Sequence, residues 1–269
     1  MAGLDAHYSA RDIEARILTA LRAAGLNPEH RLSPEELGAL DHFHTGGLRA
    51  SRELLELAKF RAEDRVLDVG AGLAGPARLL ASAIGCHVDC LDLSPDFCAG
   101  AILLNRLTGL AGKIDVHTGS ALDMPFPDNS FDAVWMQNVG MNIADKRKLY
   151  GEIWRVLKPG GRYAFQEMAA GKWATSYYPL PWATEPADSC LISAAEMRSV
   201  IGEIGFIAER FEDMSDAHLN MTSANATPAP PGQLGLGVYV DNLAQKATNA
   251  RRSLEEGQVR LVRGVFRAT

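Results

Sequence analysis

Residues 65–85, RVLDVGAGLAGPARLLASAIG, constrain the fold of this 269-residue chain more than any other stretch. Val66, Leu67 and Val69 form a short apolar, β-branched run suited to a strand buried on both faces. Gly70, Gly72 and Gly75 follow at once, so the strand ends in a glycine turn, where side chains would hold the backbone away from a ligand. Pro76 suits the first turn of a helix, whose N–H groups lack intrahelical partners, and ARLLASAIG continues with helical apolar spacing. Strand, glycine loop and helix make half of a nucleotide-binding βαβ unit, with helix N–H groups left free for an acceptor. Such a unit requires a mostly parallel sheet covered on both faces.

The remaining sequence supplies that sheet. From Arg65 the pattern alternates, predicting strands at 65–69, 87–92, 113–117, 131–136 and 162–167 and helices near 75–84, 95–108 and 145–157. LKPGG, residues 157–161, reads as a stop and turn before the next strand. An irregular stretch at 169–192 places Trp173, Tyr177, Tyr178 and Trp182 among prolines; a helix from Ser193 and a strand at 206–211 then resume the alternation. A second irregular stretch, 213–237, leads to a helix at 239–255 and a final strand at 258–267. Residues 1–60 predict helices without strands: Ile13, Ile17, Leu18 and Leu21 recur at helical spacing, Ser33 and Glu36 make a capping box around Pro34, and DHFHTGG at 41–47 is a loop. The expected organisation is an N-terminal helical cap, 1–60, and a core, 61–269, with insertions at 169–192 and 213–257.

Charge narrows the partners. A net charge of −6 and no basic stripe argue against nucleic acid and favour small molecules. No run of about 18 apolar residues occurs, and the start lacks a basic segment followed by an apolar block, so neither membrane spanning nor secretion is expected and the location predicted is cytoplasmic. The four cysteines follow no metal-binding spacing. Cys86 and Cys90, about 13 Å apart if both lie on one strand, are too distant for a disulfide, so reduced thiols and no metal are expected.

GAGLAG fits GxGxxG, a pattern shared by dinucleotide enzymes and methyl-transferring enzymes. Asp68 sits at the strand end, where a buried carboxylate requires donors; a bound amine or its own loop supplies them. Asp92 closes the second strand, twenty residues after Gly72, and an acid there suits the two hydroxyls of a ribose. GSALDMPFPDNSFD, residues 119–132, is a loop that presents Ser120, Ala121 and Leu122 toward an adenine edge, while Phe126 and Phe131 are packing residues.

Taken in order, LDVGAG, Asp92, GSALDMPFPDNSFDAVW and LKPGGRYAFQE resemble the class I S-adenosylmethionine-dependent methyltransferases over roughly residues 61–168. The resemblance implies an α/β, Rossmann-like sheet of seven strands, mostly parallel with the last antiparallel, and S-adenosyl-L-methionine as cofactor. By motif position it implies that Gly70, Ala71 and Gly72 border the methionine part, Asp92 holds the ribose, Leu93 flanks adenine, and Ser120, Ala121 and Leu122 meet its edge. Many relatives carry Asp where this chain has Ser120. FHTGGLRAS is similar to the paired-glycine loop of small-molecule methyltransferases acting on phosphoethanolamine, sarcosine and dimethylglycine, and of sugar and natural-product O-methyltransferases. That similarity implies Thr45 and Gly47 at the methionine end, Tyr8 closing the site, and Gln137 and Asn142 facing the methyl group.

Several relatives have His in place of Asn142, and an amide cannot accept a proton near neutral pH. A neutral amine needs only alignment and desolvation, whereas a hydroxyl needs a base as well. The candidate bases are His42, His44 and His218. Trp173, Tyr177, Tyr178 and Trp182 suit either an aromatic wall for a cation or ring, or an apolar lid. The sequence thus favours an N-methyltransferase for an amino-acid-like amine such as sarcosine or dimethylglycine over an O-methyltransferase for a natural-product or quinol-like hydroxyl. A nicotinamide oxidoreductase, and a binding protein that has lost catalysis, are the rivals from other classes.

Overall fold

In the computed structural model the described residues are 12–173, 177–224 and 234–269, with side chains at 222–224 outside the description. Tyr8 therefore lies outside the described residues. The elements run α1 (Ile13–Ala23), α2 (Pro34–Asp41), α3 (Gly47–Ala58), β1 (Arg65–Val69), α4 (Gly75–Ala83), β2 (His87–Asp92), α5 (Pro95–Leu107), β3 (Ile114–Thr118), β4 (Phe131–Gln137), α6 (Lys146–Val156), β5 (Leu157–Ala170), α7 (Ala194–Ile204), β6 (Phe206–Asp213), α8 (Ser215–Ala224), α9 (Leu243–Glu255) and β7 (Val259–Ala268). Seven strands form one sheet in the order β3-β2-β1-β4-β5-β7-β6. β1 pairs in parallel with both β2 and β4, and β7 runs antiparallel between β5 and β6, so the seven-strand mixed sheet expected from the sequence is present.

Both faces of the sheet are apolar. Leu67, Val69, Phe131, Val134, Met136 and Phe165 pack with Leu149, Ile153 and Val156 on one side; Val66, Val88, Ala133 and Trp135 pack with Leu54, Ala58, Ala77 and Leu80 on the other. Phe131 is fully buried, with Phe126 edge-on at 5.0 Å, as packing residues. The N-terminal α1 and α2 bury Ile13, Ile17, Leu21, Leu37 and Leu40 against Leu73, Phe97, Leu103 and Tyr239. Ser33 caps α2 in the predicted box with Glu36, and Ser193 caps α7 in the same manner with Glu196.

Three local expectations are corrected. LKPGG is a bulge inside β5 rather than a turn before it, because Leu157 already pairs with Phe131 and the next pair is Ala133 with Arg162. The stretch from 213 is not uniformly irregular, since α8 occupies Ser215–Ala224. The helix expected from 239 begins at Leu243, after a 3-10 turn at Leu236–Val238. No helix among the described residues is long and apolar enough to cross a membrane, and all four cysteines are free.

Candidate cofactor and acceptor site

The strand order reverses direction between β1 and β4, and ligands of open α/β sheets lie beyond the carboxyl ends of the strands at such a switch point. Three loops meet there: Gly70–Ala74 after β1, Leu93 after β2, and Asn138–Met141 after β4. The loop between α2 and α3 joins them, since the Thr45 N–H donates to Asn138 Oδ1 at 3.4 Å and Gln166 Nε2 donates to the Thr45 carbonyl at 2.6 Å.

Inside the glycine loop the N–H groups are not free. Gly70 and Ala71 donate to the Leu91 carbonyl at 2.7 and 3.1 Å, and Gly72 donates to Asp92 Oδ2 at 2.7 Å. Gly70, Ala71 and Gly72 are thus bonded to the end of β2 and offer no cradle for a pyrophosphate, which argues against the nicotinamide alternative. Gly70 has φ +68°, and a Cβ there would stand 2.3 Å from Val139 Cγ2, so only glycine lets the β1 and β4 loops meet. A Cβ on Gly72, at φ +54°, would meet open space, so that glycine answers to backbone conformation alone.

Two carboxyls frame the loop. Asp68 is 2% exposed, and its Oδ2 has no hydrogen-bond partner among the described residues. Burial and the neighbouring Asp92 push its pKa up to about 8, against a backbone bond from Ala77. Asp92 accepts from Gly72 N–H on Oδ2 and from Ser94 N–H on Oδ1, with a further backbone bond from Leu93, which still leaves acceptor capacity on the carboxylate. An orphaned buried carboxylate, a second carboxylate with spare acceptor capacity, and the apolar Leu93, 53% exposed beside it, fit an amino acid joined to a nucleoside. In the loop after β3, Ser120 Oγ accepts from the Leu122 N–H at 3.1 Å, so that N–H is committed within the loop. Ala121 and Leu122 pack against the main core.

Below Thr45 the hydrogen bonds close into a ring. Trp135 Nε1 and Ser51 Oγ both donate to Gln137 Oε1 at 3.0 Å, which fixes the orientation of the amide. Gln137 Nε2 then donates to His44 Nδ1 at 3.4 Å, and His44 Nε2 donates to Ser51 Oγ at 3.0 Å. His42 adjoins the ring, with Nδ1 3.1 Å from Ser51 Oγ, and faces Asp41, which Arg78 holds through Nε and Nη2. Burial lowers His42 to about 2 and His44 to about 4, so both rings are neutral at physiological pH.

The other sequence candidates separate. Asn142, in the 3-10 turn Gly140–Asn142, donates to the carbonyls of Trp182 at 2.7 Å and Asp188 at 3.3 Å, so its amide ties the first insertion to β4. Tyr178 and Trp182 pack with Met141, Met168, Leu180 and Leu261, and Thr45 Oγ1 reaches Met168 Sδ at 3.6 Å. Trp173 is 63% exposed beneath the Lys172 ammonium, and Tyr177 donates to Glu256 under the Arg252 guanidinium. Those two aromatics do not join Tyr178. His218 lines a cleft together with Thr45.

Glu167 was not singled out from the sequence, although FQE ends the last matched motif. It is fully buried; Oε1 accepts from Val139 and Gly140 at 2.8 and 2.9 Å, and Oε2 has no partner among the described residues. Burial raises it to about 7. Lys146 grips the same turn by donating to the carbonyls of Gly140, Ile143 and Cys190. A lone charged residue in a buried strand is the signal that sequence offered for Glu167; nothing local marked Lys146, whose partners come from folding.

Residues 67–165 match a family model described as a methyltransferase domain. The chain is 36% identical over 154 residues to glycine/sarcosine/dimethylglycine N-methyltransferase of Actinopolyspora halophila, covering 57% of this chain and 27% of that protein. It is 40% identical over 103 residues to sterol 24-C-methyltransferase ERG6B of Gibberella zeae, covering 38% of this chain and again 27% of the relative. The chain thus spans about a quarter of the length of each of these curated relatives. Among solved structures, phosphoethanolamine N-methyltransferase 2 of Haemonchus contortus with S-adenosyl-L-methionine superposes at a TM-score of 0.71 with 20% identity, over 97% of this chain and 60% of that one. The matched residues run from β1 into β5, so the part of the chain that carries the glycine loop and both strand-end acids resembles a methyltransferase domain, on a fold shared with that S-adenosyl-L-methionine complex.

Proposed function

We propose that the chain transfers a methyl group from S-adenosylmethionine to the nitrogen of a small amino-acid-like amine such as sarcosine or dimethylglycine. The observation that carries the choice of nitrogen is the state of the histidines under Thr45. His44 has both ring nitrogens committed within the ring of Ser51 and Gln137 and is neutral down to about pH 4, a poor acceptor for the proton of a hydroxyl. Asn142, where several relatives place a histidine, spends its amide on carbonyls of the insertion. An acceptor that is already a nucleophile needs neither group as a base.

In this reading the ribose hydroxyls meet Asp92, the methionine ammonium pairs with the orphaned Asp68 oxygen, and Gly70, Ala71, Gly72, Thr45, Gly47 and Gln137 enclose the methionine end. Leu93, Ser120, Ala121 and Leu122 border adenine. When bound, S-adenosylmethionine supplies a methyl group on a positively charged sulfur, open to in-line displacement. The residues of this chain contribute alignment and exclusion of water: the Ser51–His44–Gln137 ring holds the Thr45 loop against β4, and Met141, Met168, Tyr178 and Trp182 wall the acceptor side. The segment 1–60 and the insertions at 169–192 and 213–257 act as cover over the two ligands.

A second reading, O-methylation of a ring hydroxyl, would assign the base to Glu167, a fully buried carboxyl raised to about 7 whose Oε2 has no partner among the described residues. The test is methyl transfer from labelled cofactor across a panel of amines and phenols. Turnover of sarcosine or dimethylglycine supports the amine; turnover of hydroxyl substrates alone, abolished in Glu167→Gln, overturns it.

A further inference from the structure

The loop after β1 ends on a strained residue. Ala74, fully buried, has φ +59° and ψ +33°, left-handed backbone in which the Cβ of an L-residue crowds the following carbonyl. Glycine adopts this conformation freely, yet an alanine stands here as the N-cap of α4, so its surroundings must impose it. Backbone bonds supply part of the constraint: the Ala74 N–H donates to the Ala71 carbonyl at 2.8 Å, and the Ala74 carbonyl accepts from the Arg78 N–H at 3.0 Å.

The Arg78 side chain supplies the rest. It is fully buried and runs back toward the start of α4, the direction helical side chains take, where Nη2 donates to the Leu73 carbonyl. That carbonyl lies in the peptide plane joining Leu73 to Ala74. Holding it from a residue fixed in α4 sets the rotation of that plane about the Ala74 N–Cα bond, which is φ itself. The guanidinium is in turn held from two other helices. Asp41 Oδ2, at the end of α2, accepts from Nε at 3.2 Å and from Nη2 at 2.7 Å, and Asn105 Oδ1, on α5, accepts from Nη1 at 2.8 Å. A cation in the first turn of a helix opposes the helix dipole, and burying it is costly, so α4 by itself gives no reason for an arginine at this position. The Asp41 carbonyl also lies 2.3 Å from where a Cβ on Gly75 would stand, so α2 seats directly on the start of α4.

We propose that Arg78 is a positioning residue of the cofactor site: by fixing the Leu73 peptide plane it keeps Ala74 left-handed, and with it the turn from Ala71 that carries the methionine side of the loop. Arg78 touches no ligand in this scheme and acts through the Leu73 carbonyl. Because Asp41 belongs to the N-terminal segment, the shape of the loop depends on residues far from it in sequence. The inference rests on the cofactor reading given above.

The experiment is calorimetric titration of the full chain with S-adenosylhomocysteine, with urea unfolding of each ligand-free variant to report folding. Arg78→Lys keeps the charge beside Asp41, but a single nitrogen cannot span the three partners that the guanidinium fork joins, so affinity should fall at least tenfold. Adding Ala74→Gly should return affinity to within threefold of the parent, since glycine takes the left-handed conformation unaided. Ala81→Gly, in the interior of the same helix, is the control and should return none of it. Asn105→Ala frees Nη1 alone; it should give a smaller loss, likewise recovered by Ala74→Gly, and it decides the matter if Arg78→Lys does not fold. Parent-like affinity in a folded Arg78→Lys, or a loss that Ala74→Gly leaves in place, overturns the proposal, the second result because a purely structural arginine would not be rescued by backbone freedom at one residue. If the parent itself binds no S-adenosylhomocysteine, the cofactor reading fails and the positioning role falls with it.

Discussion

Replacing Asp68 by Asn should stabilise the ligand-free protein and weaken its cofactor binding, two effects of opposite sign from one atom change. The carboxyl is buried, accepts one backbone N–H and leaves Oδ2 without a partner among the described residues, so burial raises it from 3.8 to about 8. A folded-state pKa above the unfolded one means that the group's contribution to stability is complete below pH 3.8 and is lost as pH rises toward 8. At about 1.4 kcal/mol per pH unit, the three units from pH 4 to pH 7 remove on the order of 4 kcal/mol as an upper bound. Asn keeps the shape and the oxygen facing the Ala77 N–H and escapes this titration. Urea unfolding of both proteins without ligand, at pH 4.5, 6, 7 and 8, should show the Asp68→Asn variant gaining on the parent steadily across the series. Apart from Asp92, whose charge is coupled to that of Asp68, the other buried acids and histidines are common to the two proteins and cancel in the difference. With an ammonium placed beside it the same carboxyl becomes an asset, so affinity for S-adenosylhomocysteine should fall by about 1.5–3 kcal/mol in the variant, the scale of a hydrogen bond to a charged group. Stability curves that run parallel from pH 4.5 to 8 would refute the reasoning, and unchanged affinity would remove Asp68 from the ligand.

Asp92→Ala should weaken S-adenosylhomocysteine by about 1–3 kcal/mol in calorimetry, since it deletes both the proposed ribose acceptor and the anchor of the Gly72 N–H. Gly70→Ala forces a side chain into the φ +68° region, at about 1–2 kcal/mol, and drives its Cβ toward Val139 Cγ2, so thermal stability and cofactor affinity should fall together. Adding Val139→Ala should leave the double variant less impaired than the sum of the two single ones, and strict additivity would rule out the clash. Ser51→Ala removes the hydroxyl shared by His42, His44 and Gln137 inside the protein and should cost about 1–3 kcal/mol in urea unfolding; a variant as stable as the parent would mean that the ring contributes nothing net.

What was legible beforehand was local. The β-branched run of β1, the glycines after it, Pro76 in the first turn of α4 and the Ser33–Glu36 capping box are decided by residues within a turn or a few positions of each other, and the structure places them where spacing put them. LKPGG misled because the same Pro-Gly-Gly serves a turn or a bulge, and the choice falls to whether Leu157 finds a partner in Phe131 across the sheet. The four aromatics of 169–192 suited one wall or one apolar lid equally, yet Trp173 and Tyr177 face the Lys172 ammonium and the Arg252 guanidinium while Tyr178 and Trp182 enter the apolar cluster. Composition shows how many aromatics a segment carries and not which of its faces is covered.

By itself, then, the sequence determined the order of strands and helices from β1 to β6, the glycine loop and the strand-end acids, because period, capping and turn chemistry act over short separations. Only the tertiary structure decided that the loop N–H groups are consumed by Leu91 and Asp92, that Asn142 is an anchor of the insertion, that Glu167 lies buried beneath Gly140, and that Glu53 of α3 meets Arg263 of β7 across 210 residues of chain. Those partnerships depend on which segments the sheet order brings together and on burial, which sets both the proton affinity of a carboxyl and the number of partners left to it; neither quantity exists until the strands have paired.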